Sequence, residues 1–194
     1  MAPLAALIER GDKDPVRTMA IKALHDIPGA ASAAALRTIV REGAEPTDRA
    51  DALAMLVKRK NADDVKDLVP ECLKSLSPEV RRYAVVAIRE FQLKDREADL
   101  APLMEDFSEQ VIMETMRAYG DFGTKSAVKQ IVRVLLKPGE EAENPEGLQN
   151  AANEALVKIT GEDKGFAADL PDEKREEVLN LWKAWWDKNR DKYK

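Results

Sequence analysis

Residues 77–91 read SPEVRRYAVVAIREF, and the spacing inside that stretch returns on either side, from residue 16 to residue 156. Val80, Ala84, Ala87 and Ile88 fall at i, i+4, i+7 and i+8, one stripe of a helix with about 3.6 residues per turn. A step of 32 residues back gives Asp48, Ala52, Met55 and Leu56, and a second gives Val16, Ala20, Ala23 and Leu24. A step of 31 forward gives Val111, Thr115, Ala118 and Tyr119, with Phe122 matching Phe91. A further step of 37 gives Leu148, Ala152, Ala155 and Leu156. A repeat of this length, helical throughout, means units that cannot bury their apolar faces alone and must stack on their neighbours. The small residue at the second stripe position marks where adjacent helices are expected to touch.

Each stripe has the same punctuation. Asp14-Pro15, Glu45-Pro46, Ser77-Pro78 and Asn144-Pro145 put proline in the first helical turn, where its missing N–H is harmless. Asp14, Ser77 and Asn144 are also good N-caps. Ser108 and Gln110 open the fourth copy without proline. A second apolar series follows: Leu36, Leu68, Leu100 and Ile131, accompanied by Val40, Cys72, Met104 and Leu135. Those residues predict a second helix in each repeat, with Pro70 and Pro102 bending theirs. Leu4 and Ile8 match Leu36 and Val40 at the same step, so the segment before residue 12 reads as the second helix of an earlier pair. The expected fold is therefore all-α, an α-solenoid of about five helical hairpins over residues 1–160. Residues 161–194 supply a turn and a capping helix within the same domain.

Composition narrows the classes. Hydrophobic residues make up 44% of the 194, enough for a core, while only 5% are aromatic, so small side chains and close helices are expected. No apolar run nears the ~18–20 residues of a membrane-spanning helix. The net charge of −5 gives no general attraction to phosphate backbones, and the acidity is concentrated after residue 137. One cysteine rules out an intramolecular disulfide, which fits a reducing compartment. The first twelve residues lack the charged and apolar regions of a signal peptide. The expected compartment is the cytoplasm if the chain is complete. An exported protein is the alternative if the start within a repeat reflects a lost N-terminal segment.

The motif D/S-P-x-V-R-x-x-A-x-x-A-L/I, seen as DPVRTMAIKAL at 14–24 and SPEVRRYAVVAI at 77–88, resembles the HEAT repeat of the bacterial, phycobilin-lyase type. Arg17, Arg49 and Arg81 take the family's arginine position, which becomes Ile112 and Gln149 in the later copies, so a ladder of arginines is expected to stop after the third. The end of the chain, from ALVKITGEDKGF to LNLWKAWWDKNRDKY, resembles the tail of bacterial HEAT-repeat proteins, in which a Thr-Gly turn precedes a Trp-rich closing helix. Thr160-Gly161 fits that turn. The resemblance implies a repeat fold shared by scaffolds, adaptors, lyases and nucleic-acid enzymes.

Candidate chemistry is sparse. Val178, Leu181, Trp182, Trp185 and Trp186 share one helical face and read as the cap on the last repeat, with Trp185 as its anchor. A ligand-stacking role is the competing reading for the tryptophans. His25 reads as an exposed residue at a helix end. Cys72 aligns with apolar residues and reads as a buried thiol. A single histidine and a single cysteine exclude a zinc site of the usual nitrogen and sulfur ligands. Lys58, Arg59, Lys60, Arg81, Arg82, Arg89, Lys94 and Arg96 read as an ordinary charged surface, and 137–147 as a mobile acidic loop. No phosphate-binding loop, dinucleotide fingerprint, serine elbow or HExxH motif occurs, so neither a catalytic residue nor a cofactor or metal is expected.

The expected function is a non-catalytic scaffold or adaptor that binds a protein or peptide on outward positions of the second helices. Repeat register places Ala35, Asp67, Asp99 and Gln130 in one such row, and Thr38 and Arg133 in another. The alternative is a HEAT-like enzyme or nucleic-acid-binding protein, in the manner of a bilin lyase or DNA glycosylase.

Overall fold

In the computed structural model the described residues are 14–139, 141–167 and 169–193, and among them every regular element is helical. Leu4 and Ile8 lie outside the described residues. The helices gather into two units, one ending at Leu93 and the other beginning at Lys94. No helix among the described residues is long and apolar enough to cross a membrane.

The N-terminal unit contains α1 (Asp14–Asp26), α2 (Ala30–Glu42), α3 (Pro46–Lys58), the short α4 (Val69–Cys72) and α5 (Pro78–Glu90). Helix α3 lies at its centre and packs against α1, α2 and α5. This explains why α3 is buried nearly all round, from Ala50 and Ala52 to Leu56 and Val57. The stripes on α3 and α5 are buried at all eight positions. On α1, Ala20 and Leu24 are buried, but Ala23 is half-buried and Val16 is 40% exposed. The described neighbours of α1 cover only the side that carries Ala20, Ile21 and Leu24.

The C-terminal unit contains a 3-10 helix (Lys94–Glu105), α6 (Glu109–Phe122), α7 (Val128–Leu136), α8 (Pro145–Thr160), α9 (Asp172–Asn189) and a final 3-10 turn (Arg190–Tyr193). The 3-10 helix packs on α6, α6 on α8, α8 on α7, and α7 on α9. Both first-helix stripes, on α6 and α8, are buried in full. Helices α6 and α8 meet closely at Gly120, where an added Cβ would stand 2.9 Å from the Ala155 Cα. Gly120 is there because the neighbouring backbone leaves no room for a side chain.

The second helices depart from the expectation. Leu36, Leu68, Leu100, Ile131 and their partners Val40, Cys72, Met104 and Leu135 are all buried as read from the sequence. Yet only α2 and α7 are α-helices of any length. Pro70 sits in the first turn of the four-residue α4, and Pro102 lies inside twelve residues of 3-10 helix. Neither proline bends a longer α-helix. Each lacks the N–H that would reach back four residues, and its ring crowds that carbonyl, so the chain upstream takes turns or the tighter i→i+3 winding instead.

Helix ends show a second regularity that residue types did not reveal. Lys60, Gln92, Gly123 and Gly161 follow α3, α5, α6 and α8, all with left-handed φ between 51° and 73°. Glycine meets that need in two copies only.

Candidate functional site

The repeat arginine position forms a joint to the end of the preceding segment. Arg49 Nε donates to the Val40 carbonyl at 2.8 Å, closing the end of the preceding second helix. Arg81 donates to the carbonyls of Ser75 and Leu76 at 2.7 and 3.1 Å. Gln149 Nε2 donates to the Leu135 carbonyl at 3.0 Å, and Leu135 is the register mate of Val40. The ladder of arginines ends with the third and Ile112 has no side-chain donor, but a neutral amide makes the same bond in the last copy. Arg17 differs, pairing with buried Asp48 at 2.8 Å. Burial pushes the Asp48 carboxyl up, against the pull of the Arg17 guanidinium.

Much of the basic cluster is also structural. Arg59 donates to the carbonyls of His25, Ile27 and Gly29. Lys60 and Arg89 both reach Glu90, and Arg82 lies 4.2 Å above the Tyr83 ring. In the C-terminal unit Arg96 lies 3.7 Å from Asp95 and 3.6 Å from Asp99. His25 is half-buried rather than exposed, with Nδ1 3.1 Å from the Met55 carbonyl oxygen. Cys72 is buried, and burial pushes its thiol up to about 11, which disfavours the thiolate. The acidic loop is held at its far end, where the Glu109 carboxylate accepts from the Glu143 and Asn144 N–H groups at 2.7 and 2.9 Å.

The six residues read as contact positions divide between the units. In the N-terminal unit, Ala35 is half-buried and Thr38 is exposed, its hydroxyl bonded back to the Ala34 carbonyl. Asp67 is exposed but occupied. Arg37 grips both its oxygens at 2.7 and 2.8 Å, and Arg41 adds a third bond at 2.7 Å. The hydrogen bond from Arg37 holds the Asp67 carboxyl below its usual range. In the C-terminal unit, Asp99 is exposed beside Arg96. Gln130 and Arg133, by contrast, line a cavity.

That cavity, about 470 Å³, opens between α7 and α9. Its polar wall carries Glu105, Ser126, Lys129, Gln130 and Arg133; its apolar wall carries Val132, Leu136 and Trp186. A second hollow of about 420 Å³ adds Arg190 and Tyr193 and shares Ser126, Lys129 and Trp186 with the first. The two form one groove passing along Trp186. Lys129 and Arg133 are one helical turn apart on α7, so they project from the same face. Among the described residues, Lys129, Arg133 and Arg190 join no ion pair.

The tryptophans have separate roles. Trp182 is fully buried, and its Nε1 donates to the Asn153 side-chain oxygen on α8 at 3.0 Å. It is the anchor of α9, in place of Trp185. Trp185 is half-buried, edge-on to Trp182 with ring centroids 5.4 Å apart and 5.6 Å from Tyr193. Trp186 turns to the groove. Repeat register pointed to α7, but nothing in it shows that α9 and the final turn would supply the opposite wall.

No family model matches the chain, and no curated protein matches it. Among solved structures it is similar to an engineered protein from the Northeast Structural Genomics Consortium, at 17% identity and a TM-score of 0.51, covering 95% of this chain and 98% of that one. At that identity the likeness concerns the all-helical fold alone.

Proposed function

We propose that this protein is a HEAT-like α-solenoid acting as a non-catalytic interaction module, which holds a protein or peptide on the outward side of its second helices. The observation that carries the reading is the groove beside α7. It contains Gln130 and Arg133, two residues assigned to partner contact from repeat register, next to a half-buried tryptophan. Tryptophan and arginine are the residues that most often dominate binding energy in protein interfaces. The sequence supports the solenoid itself, since one period runs from residue 16 to residue 156. Asp67, an expected contact position, is already occupied within the chain. Its carboxylate is engaged by Arg37 and Arg41, so it serves the fold before any partner.

A photo-crosslinking residue tests the reading when placed at Thr38 or Gln130 in the source cell, with exposed Lys22 on α1 as control. Thr38 and Gln130 are expected to capture a discrete protein, and Lys22 to capture none. Equal capture at Lys22, or none at Thr38 and Gln130, rejects the module.

A further inference from the structure

We propose that the groove between α7, α9 and the final turn binds a short acidic peptide segment of a partner protein, with an apolar side chain against Trp186 and flanking carboxylates on Lys129, Arg133 and Arg190. The inference rests on the interaction-module reading and supplies its ligand chemistry. Three cations border this one groove, free of ion pairs among the described residues, while the C-terminal unit that holds it, residues 94–194, carries sixteen Lys/Arg against twenty-two Asp/Glu. A locally basic groove on an acidic unit selects ligands of opposite sign.

Geometry narrows the ligand further. Lys129 and Arg133 stand side by side on α7, and Arg190 enters from the other wall, so carboxylates on both sides of a central residue would each meet a cation. Arginine also matches a carboxylate with two parallel hydrogen bonds. Trp186 and Tyr193 are half-buried, offering apolar ring surface at the groove wall. Cavities of about 470 and 420 Å³ lie within the size range of small ligand sites. A nucleic acid strand suits the site less well: Glu105 stands on the polar wall and would oppose a run of phosphates.

The test uses the full chain and a capped synthetic peptide with one phenylalanine between two pairs of glutamates, titrated by calorimetry. Comparison ligands are the same peptide with lysines for glutamates, the same peptide with alanine for phenylalanine, and an oligothymidine strand. The acidic phenylalanine peptide is expected to bind, and both altered peptides to bind at least about tenfold more weakly. Arg133→Glu and Arg190→Glu, on exposed residues of opposite walls, are each expected to weaken it by about tenfold or more with an unchanged helical circular dichroism spectrum. No binding, binding indifferent to both substitutions, or tighter binding of the oligothymidine overturns the proposal. If the peptide fails while crosslinking at Thr38 or Gln130 succeeds, the acidic-peptide assignment falls and the interaction module stands; if crosslinking at both positions fails too, the module falls with it.

Discussion

Asp67 and its two arginines show how one residue can look functional in a sequence and be structural in the fold. Its outward position is legible from repeat register. Its partners are not, because Arg37 and Arg41 belong to the preceding repeat and meet it only once α2 is packed. The pairing has a pH signature. The folded Asp67 carboxyl titrates below its unfolded value, so its contribution is complete above the unfolded pKa and lost as pH falls through the folded one. Asp67→Asn is therefore expected to lower stability at neutral pH and to leave it nearly unchanged below the carboxylate range. Because the carboxylate is 46% exposed, the difference should stay within about 1 kcal/mol. Urea denaturation of both proteins across acidic and neutral pH measures it, and a pH-independent difference would deny the ion pair any role.

At the scale of elements, the apolar stripes were the most legible part of the chain. Eighteen of the twenty first-helix stripe positions are buried, the exceptions being Val16 and Ala23 on α1. Element type was harder to read for the second segments. Burial of Leu68 and Leu100 needs only an inward residue at the right place, and turns or 3-10 helix supply that as well as an α-helix does. Residue identity also hid the left-handed ends at Lys60 and Gln92, where side chains fill a conformation usually left to glycine. The meeting of α6 and α8 can be tested directly. Within a helix, alanine is ordinarily better than glycine by up to ~1 kcal/mol. At Gly120 the added Cβ would meet backbone that cannot move aside. Gly120→Ala is expected to destabilise by about 1–3 kcal/mol, read as a lower urea midpoint. A raised midpoint would mean the two helices lie farther apart.

For the molecule as a whole, the period of about 32 residues identified the helical class, yet it passes through Leu93–Lys94 without a break. The division into two units depends on which contacts form at long range, and a repeat motif carries no record of that. The groove was half legible for the same reason: α7 came from register, whereas α9 falls outside the repeat and its tryptophans look alike in sequence. Their burial separates them. Trp182→Ala is expected to cost about 3–5 kcal/mol, since it removes a fully buried side chain and leaves the buried Asn153 without its indole donor. Thermal unfolding measures the loss, with Trp185→Ala as the milder comparison; a larger effect at Trp185 would reverse their roles.

The joint made by Arg49 and later by Gln149 has a bearing on how such a chain meets changes in ionic strength. Both nitrogens donate to a main-chain oxygen, and in the last copy neither partner is charged. Mobile ions therefore have little to screen at that bond, in contrast to the surface pairing of Arg37 with Asp67. Added salt would loosen the ionic fastenings between repeats while leaving this neutral one in place.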